Sequence, residues 1–332
     1  MPLIRDVARR LLGWCAPALL LAGARTASAQ TNSGALDLLI PIGARATAMG
    51  TAFVAEEGSE AVWWNPAGIA RMARPEFAID HLETFALKGD ALSIIAPLRG
   101  VGALGVTARL FNFGEFENTD GAGNPLGTTL RRSVVVGGTF ATTFGSRASA
   151  GLTYRLYQFR NDCSGFCENE VKGTSATSAV DVGVQFRPLP TRPLRFGVEI
   201  RNLGPRLQVK DQPQADAIPS RLHLGLSYDP SFKGLAPEVK LRVTAELAST
   251  LGFAEQQIRL GGQASYAAGA SKLLVRAGYV VQPSSNGEAS TGPSLGLGLS
   301  SGRVQLDLAR VFDSFSSGLG KPPTYVSIRV GL

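Results

Sequence analysis

Residues Leu194–Arg201 read Leu-Arg-Phe-Gly-Val-Glu-Ile-Arg, and this stretch decides the fold. Every second side chain is apolar, and all the charged side chains fall on the alternate positions. Because successive side chains of a β-strand point to opposite faces, one face of this strand is apolar and the other is charged. A soluble sheet buries the apolar face, whereas a bilayer-spanning barrel turns it toward lipid and turns the charged face toward its lumen.

The same alternation continues to the last residue of the sequence. Apolar periodicity and turn residues predict strands near residues 75–86, 90–99, 101–112, 131–144, 147–160, 177–187, 194–203, 220–229, 238–248, 256–267, 271–282, 293–300, 302–312 and 324–332. The sequence therefore predicts an all-β fold, with a transmembrane antiparallel β-barrel of about 14 strands over residues 74–332.

The connections between these strands fall into two length classes. Residues 113–130, 161–176, 204–219 and 283–292 form long polar stretches, which we expect to be loops on the outer side. Gly100 and Gly145-Ser146 mark tight turns, which belong on the periplasmic side of such a barrel.

The first 29 residues have the pattern of an export signal. Arginines among the first ten residues precede the apolar run Leu11–Ala24, and Ala27-Ser28-Ala29 follows it. This pattern predicts a secretory signal peptide, residues 1–29, that is cleaved after Ala29. The apolar run is shorter than the roughly 20 residues that a membrane-spanning helix needs. We therefore expect an exported protein of the bacterial outer membrane, with membrane lipid as its surroundings and a monomeric barrel.

The composition argues against several other classes of protein. The formal net charge of +7 includes four arginines and one aspartate of the signal, so the mature chain is too weakly basic for a nucleic-acid partner. Two cysteines remain after cleavage, Cys163 and Cys167, and an exported chain can oxidise them to a disulfide that clamps a loop. A zinc site would need two more ligands near them, so we expect no metal and no cofactor.

The histidines give little support for catalysis. His223 and Ser227 share one face of a strand but lie four residues apart, about 13 Å, which is too far for a nucleophile and its base. The sequence contains neither Gly-x-Ser-x-Gly nor His-Glu-x-x-His. We therefore predict a protein that is not an enzyme, and an outer-membrane hydrolase is the least favoured alternative.

Residues between the signal and the first strand do not alternate. The stretch from Pro41 to Ala70 is rich in small residues, which suits a backbone threaded through a narrow space. We expect residues 30–73 to form a hatch inside the lumen. Its motif consists of Gly43, Arg45, Met49, Gly50, Trp63, Trp64, Asn65, Pro66 and Gly68.

This motif resembles the amino-terminal region of the PorV/PorQ family of outer-membrane proteins and, more distantly, of the FadL family of long-chain fatty-acid transporters. Both families carry a Gly- and Arg-containing run, then an acidic or polar patch and Asn-Pro-Ala. The resemblance implies a fourteen-stranded barrel whose amino-terminal segment enters the lumen. PorV-type membership implies an accessory of a type IX-like secretion pathway that meets secretion components or cargo proteins, and we favour this role. FadL-type membership implies passive uptake of a hydrophobic small molecule.

Two parts of the hatch motif allow alternative interpretations. Asn65-Pro66 is typical of a turn, and a hatch that changes shape around this turn is the alternative. Trp63 and Trp64 either line a ligand path or anchor the segment at the membrane interface, and we favour anchoring.

The predicted lumenal face of the later strands carries more basic than acidic side chains. The candidate residues are Arg187, Arg195, Glu199, Arg201, Arg221, His223, Arg242, Glu246, Arg259, Arg276 and Asp307. They either attract a carboxylate-bearing amphiphile or form an ionic network that stiffens the barrel around the hatch. We favour the network.

Overall fold

The structure, a computed structural model, describes most of the chain after residue 33. The described residues are 34–166, 173–189, 192–209, 215–232, 234–251, 253, 255–282, 291–312 and 322–332. The predicted signal peptide and the first four residues of the predicted hatch lie outside the described residues.

One antiparallel sheet of sixteen strands contains almost all of the described regular structure. The strands are β1 (Glu76–Glu83), β2 (Lys88–Leu98), β3 (Gly102–Thr119), β4 (Pro125–Phe144), β5 (Ala148–Gly165), β6 (Gly173–Phe186), β7 (Leu194–Leu203), β8 (Leu207–Val209), β9 (Ala215–Asp216), β10 (Arg221–Tyr228), β11 (Val239–Thr250), β12 (Gln256–Ala268), β13 (Ser271–Val281), β14 (Gly292–Ser301), β15 (Val304–Val311) and β16 (Thr324–Gly331).

The sheet closes on itself. β1 pairs with both β2 and β16, and β7 pairs directly with β10, so β1–β7 and β10–β16 form a closed wall of fourteen strands. The short strands β8 and β9 continue from one edge of β6. This architecture confirms the predicted transmembrane antiparallel barrel.

Two of the predicted loops are wrong. The described residues of 113–130 and 161–176 are mostly strand, because β3 and β4 continue to a short turn at 120–124, β5 extends to Gly165 and β6 begins at Gly173. A bulge between Asn112 and Glu115 interrupts the register of β3 and β4. Beyond the bilayer both faces of a strand are wet, so the apolar alternation stops while backbone pairing continues. Periodicity therefore underestimates the length of these strands.

Compared with a soluble β-protein, the wall has the opposite distribution of polarity, with apolar side chains exposed on its outer face and charged side chains buried on its lumenal face. On the outer face Val198 is 43% exposed and Leu297 is 55% exposed, whereas on the lumenal face Glu199 and Arg276 are 1% exposed. A charged side chain on the lipid face costs about 2–4 kcal/mol at the midplane. The lipid environment therefore fixes the direction in which each strand faces.

Among the described residues, no helix combines the length and apolar character needed to span a bilayer.

The connection lengths identify the two ends of the barrel. Turns at 99–101, 145–147, 269–270 and 302–303 are short and share one end, which we name the periplasmic end. The connections 204–220 and 312–323 are longer and lie at the opposite end, which we name the outer end.

The residues before β1, here the N-terminal segment (34–75), pack against the lumenal face of the wall. They contain 3₁₀ helices at Leu36–Leu39, Ser59–Trp63 and Pro66–Ile69 and one α-helical turn, α1 (Ala44–Ala48). The Ala44 amide donates to Ser327 Oγ at 2.8 Å, which places α1 against β16.

Glycines in the wall allow the backbone of the segment to approach closely. Gly183 faces Asn65, and Gly278 faces Gly50; a Cβ atom at Gly278 would overlap the Gly50 nitrogen. Any other side chain would force the segment away from the wall. The shape of the lumen is therefore matched to the N-terminal segment.

We expect Gly278→Ala to destabilise the folded barrel by about 1–3 kcal/mol, because the added methyl group overpacks the contact with Gly50. Heat modifiability on gels measures this as a lower unfolding temperature. Gly262→Ala is the matched control, since its Cβ would meet no atom closer than 3.9 Å. Equal unfolding temperatures for the two variants would contradict the close contact.

Candidate functional site

A cavity of about 300 Å³ lies between the N-terminal segment and the outer half of the wall. Leu39, Pro41 and Trp64 contribute apolar surface from the segment, and Val311 and Tyr325 contribute it from β15 and β16. The basic side chains on its wall are Arg201, Arg221, His223 and Arg259. The cavity thus combines an apolar side with a basic side.

Glu246 connects the cavity to the N-terminal segment. Its Oε2 accepts hydrogen bonds from the backbone amides of Phe53 at 2.8 Å and Val54 at 2.9 Å. Its Oε1 contacts His223 Nδ1 at 2.7 Å and accepts from Arg259 Nη1 at 2.9 Å. One buried carboxylate therefore binds the segment and two side chains that line the cavity.

His223 presents an unpaired nitrogen in the same place. Nδ1 faces Glu246, and Nε2 has no hydrogen-bond partner among the described residues although the side chain is buried. Ser227 donates instead to Glu56 at 2.6 Å. The structure does not bring His223 and Ser227 together as a nucleophile and its base.

Arg201 holds the tryptophan pair. Its Nη2 donates to the Trp63 carbonyl at 3.1 Å, and its guanidinium lies 5.9 Å from the ring centroid of Trp64. Trp64 Nε1 donates to the Ile42 carbonyl at 3.0 Å. Both indoles are buried inside the lumen, so the expectation that they anchor the segment at the membrane interface is wrong.

A second buried carboxylate, Glu56, attaches the segment to the periplasmic half of the wall. Arg242 donates to it at 2.8 Å, Arg195 lies 3.3 Å away, and Arg45 also pairs with it. Burial alone would raise the pKa of Glu56, but the charges of Arg45, Arg242 and Arg195 lower that pKa to about 2. Glu56 is therefore ionised under physiological conditions.

A third ionic chain fixes α1. Glu60 accepts from the Ala46 amide at 2.8 Å and pairs with Arg329, which also pairs with Asp307. Arg276 Nη1 donates to the same Asp307 at 2.6 Å. Removing one member of such a buried network leaves an uncompensated charge, which typically costs about 3–5 kcal/mol.

The remaining predicted lumenal residues are more scattered. Arg187 pairs with Glu57 near the periplasmic end, and Arg221 pairs with Glu255 at 2.8 Å near the outer end. Glu199 is buried, and neither carboxylate oxygen has a hydrogen-bond partner among the described residues. The predicted lumenal residues thus divide among separate contacts along the whole height of the wall.

The hatch motif organises the segment itself. Asn65 is fully buried; its Oδ1 accepts from the Ala67 amide at 3.0 Å and its Nδ2 donates to the Val54 carbonyl at 2.7 Å. Pro66 begins the 3₁₀ helix that Asn65 caps. Gly43 has a φ of 93°, a conformation that favours glycine, and its position leaves room for Glu60.

The other motif residues lie against the wall or within the segment. Met49 and Gly50 contact Gly261 and Gly278 of β12 and β13. Gly68 packs against Ala61.

The acidic residues of the segment were missed as site residues. Besides Glu56, Glu57 and Glu60, Asp37 accepts from Ser133 Oγ at 2.6 Å and from the Tyr157 hydroxyl at 2.8 Å. Charge complementarity could have identified them, because the predicted lumenal face of the wall has an excess of basic side chains that these carboxylates offset.

The disulfide prediction is only partly covered by the structure. Cys163 is disulfide-bonded, and Cys167 lies outside the described residues, so this pairing stays a prediction. No cluster of three or more potential metal-ligating His, Cys, Asp or Glu side chains occurs in the described ranges.

Comparison with known proteins relates the chain to outer-membrane channels through its fold. No protein-family model and no curated protein matches the sequence. The toluene transporter TbuX of Ralstonia pickettii is similar over 87% of this chain and 98% of its own, with a TM-score of 0.57 and 10% identity.

The monoaromatic hydrocarbon channel CymD is similar over 89% of this chain and 98% of its own, with a TM-score of 0.60 and 15% identity. A FadL homologue of Pseudomonas aeruginosa has a TM-score of 0.52 and 10% identity over 88% of this chain and 98% of its own. The chain has the fold of the FadL-like outer-membrane barrels.

Proposed function

We propose that this chain is an outer-membrane channel for the passive uptake of hydrophobic small molecules, with the cavity as its entry site. The cavity itself carries the proposal, because it lies at the outer end of the lumen where the N-terminal segment meets the wall. Its volume is at the lower end of the range for ligand pockets, so a small ligand fits. The N-terminal segment acts as the plug, and the predicted signal peptide directs export.

The two sides of the cavity define the kind of ligand. Trp64 and Tyr325 offer apolar surface for the body of a molecule, whereas the guanidinium of Arg259 offers hydrogen-bond donors for an anionic group. An amphiphile with a carboxylate at one end satisfies both. The basic lumen then has two roles. The basic side chains beside the cavity attract the carboxylate of the ligand, while the other basic side chains form the ionic network around the N-terminal segment.

Glu246 gives a route from ligand binding to release of the plug. An anionic group that binds Arg259 competes with Glu246 for that guanidinium, and it repels the Glu246 carboxylate. The hydrogen bonds from Glu246 to the Phe53 and Val54 amides then weaken. By linkage, a loosened segment also binds the anion more tightly.

The secretion-accessory role stays a prediction from the PorV/PorQ resemblance. The likeness of the fold to hydrocarbon channels supports transport more directly than it supports contacts with secretion components or cargo proteins. A ligand-sized cavity also has no evident use in protein recruitment.

We expect Ala248→Phe to abolish binding and uptake of dodecanoate, because the ring fills the cavity that Ala248 lines. The measurement is quenching of tryptophan fluorescence in nanodiscs, together with uptake into proteoliposomes. Ala245→Phe lies on the other face of β11 and serves as the control. Unchanged uptake by Ala248→Phe, with the barrel folded by heat modifiability, would refute the cavity as the entry site.

We expect Arg259→Gln to weaken binding of dodecanoate by about tenfold to a hundredfold, because a charged hydrogen bond contributes about 1.5–3 kcal/mol. Binding of dodecanol, which has the same apolar body without the charge, should change much less. Arg132→Gln, at an exposed position, is the control. A similar loss for both ligands would show that Arg259 does not select the anionic group.

We expect Glu246→Gln to loosen the plug, since the amide keeps the volume but removes the charge that holds Arg259 and the backbone amides. Hydrogen exchange at Phe53 and Val54 should accelerate by at least about a hundredfold if a buried pair of about 3 kcal/mol is broken. Glu57→Gln, in a more exposed ion pair, is the matched control. Exchange at the wild-type rate would rule out this attachment.

A further inference from the structure

Exposed basic side chains surround the periplasmic end of the barrel. They are Arg74, Arg99, Arg147, Arg192, Lys240, Lys272 and Arg303. None of these seven forms an ion pair with another described residue. Among the acidic side chains described at this end, Glu238 is exposed, Glu76 is half-buried and accepts from Ser59, and Glu57 and Asp229 are paired with Arg187 and Arg242. The end as a whole is strongly cationic.

The outer end has no such excess in the described part of the chain. Its exposed basic residues are Lys88, Arg132, Arg160, Arg206 and Arg310, and its exposed acidic residues are Glu83, Asp90, Glu115, Glu117, Asp162 and Glu255. Several of these are paired, as Lys88 is with Glu83 at 3.3 Å. The positive charge is therefore specific to one end of the molecule.

Four of the basic residues lie in turns that also carry exposed apolar side chains. Arg99 is followed by Val101 in the turn between β2 and β3, and Arg303 is followed by Val304 at the start of β15. The remaining two turns repeat this combination, with Phe144 before Arg147 and Leu189 before Arg192.

Exposed apolar side chains next to arginines are typical of the boundary between the hydrocarbon and the headgroups of a bilayer. Apolar side chains on the outer face reach the acyl chains, while guanidinium groups one to three residues away reach the level of the headgroups. A guanidinium group suits a phosphodiester oxygen pair, because it presents its donors in a planar fork.

We propose that Arg99, Arg147, Arg192 and Arg303 form a collar that binds the anionic phospholipid headgroups of the adjoining leaflet. The apolar neighbours favour a lipid over an acidic protein, since they keep each turn at the membrane surface rather than free in the periplasm. This collar is independent of the ligand proposed for the cavity. It fixes the depth and tilt of the barrel in the membrane.

The test uses the full chain in detergent with equal amounts of phosphatidylglycerol and phosphatidylcholine, and native mass spectrometry of the retained lipids. We expect wild-type protein to retain phosphatidylglycerol preferentially by at least about fivefold, the effect of one basic group at a charged bilayer surface. The variant Arg99→Gln/Arg147→Gln/Arg192→Gln/Arg303→Gln should lose this preference.

The control removes the same charge from the outer end. It is Arg132→Gln/Arg160→Gln/Arg206→Gln/Arg310→Gln, which should keep the preference. An equal loss of the phosphatidylglycerol preference in both variants would show that the preference depends only on net charge, and this would refute the proposed collar. A preference retained by the collar variant would overturn it as well.

Two further arms separate the lipid from other anions. If millimolar inorganic phosphate removes the preference, the turns bind free phosphate and the proposal fails. If the wild-type protein retains a polyglutamate peptide in place of phosphatidylglycerol, the surface is a protein-docking site instead. Heat modifiability confirms that each variant is folded, and the double variant Arg99→Gln/Arg147→Gln, with an intermediate expected loss, replaces any quadruple variant that does not fold.

Discussion

The N-terminal segment supplies negative charge to a lumen that has too little of its own. Glu56 alone contacts Arg45, Arg195 and Arg242, and Glu60 contacts Arg329. A wall folded without the segment would hold Arg195, Arg242 and Arg329 in a narrow interior without these carboxylates, which is costly in a region of low dielectric. The wall and the segment are therefore complementary in charge as well as in shape, and each depends on the other for a stable arrangement.

The attachments of the segment differ in strength along the barrel axis. In the periplasmic half, Glu56 is held by Arg45, Arg195 and Arg242, and Glu60 is held by Arg329. Closer to the cavity, Glu246 binds the segment through two backbone amides. A backbone amide carries no net charge, so it attracts a carboxylate less strongly than a guanidinium group does. Under the proposed function, a ligand in the cavity would act on this weaker attachment and leave the attachments at Glu56 and Glu60 in place.

The sequence predicts those parts of the structure in which contact with lipid determines the polarity of each side chain along a strand. In Leu194–Arg201 apolar residues alternate with charged residues or glycine, because successive side chains face the hydrocarbon and the lumen in turn. Where lipid no longer acts, as in β3 beyond Asn112, the pattern disappears and the strand was missed. The contact of Glu56 with Arg242 joins residues 186 positions apart, and no local period encodes it. The burial of Trp63 and Trp64 was missed for the same reason, since it depends on Arg201 of a distant strand.

The basic and the apolar groups lie on opposite sides of the cavity. Arg259, which donates to an anionic group, belongs to β12, whereas Tyr325 of β16 lies on the opposite side and joins a buried apolar cluster with Leu82 and Phe111. An amphiphile whose anionic group binds Arg259 would therefore place its apolar end toward β1–β3. There Leu82, Ile95 and Phe111 offer apolar packing on the lumenal face, whereas the lumenal face of β10–β15 carries more charged side chains. Under the proposed function, this asymmetry would orient a ligand across the lumen, with its apolar end toward the inner face of β1–β3.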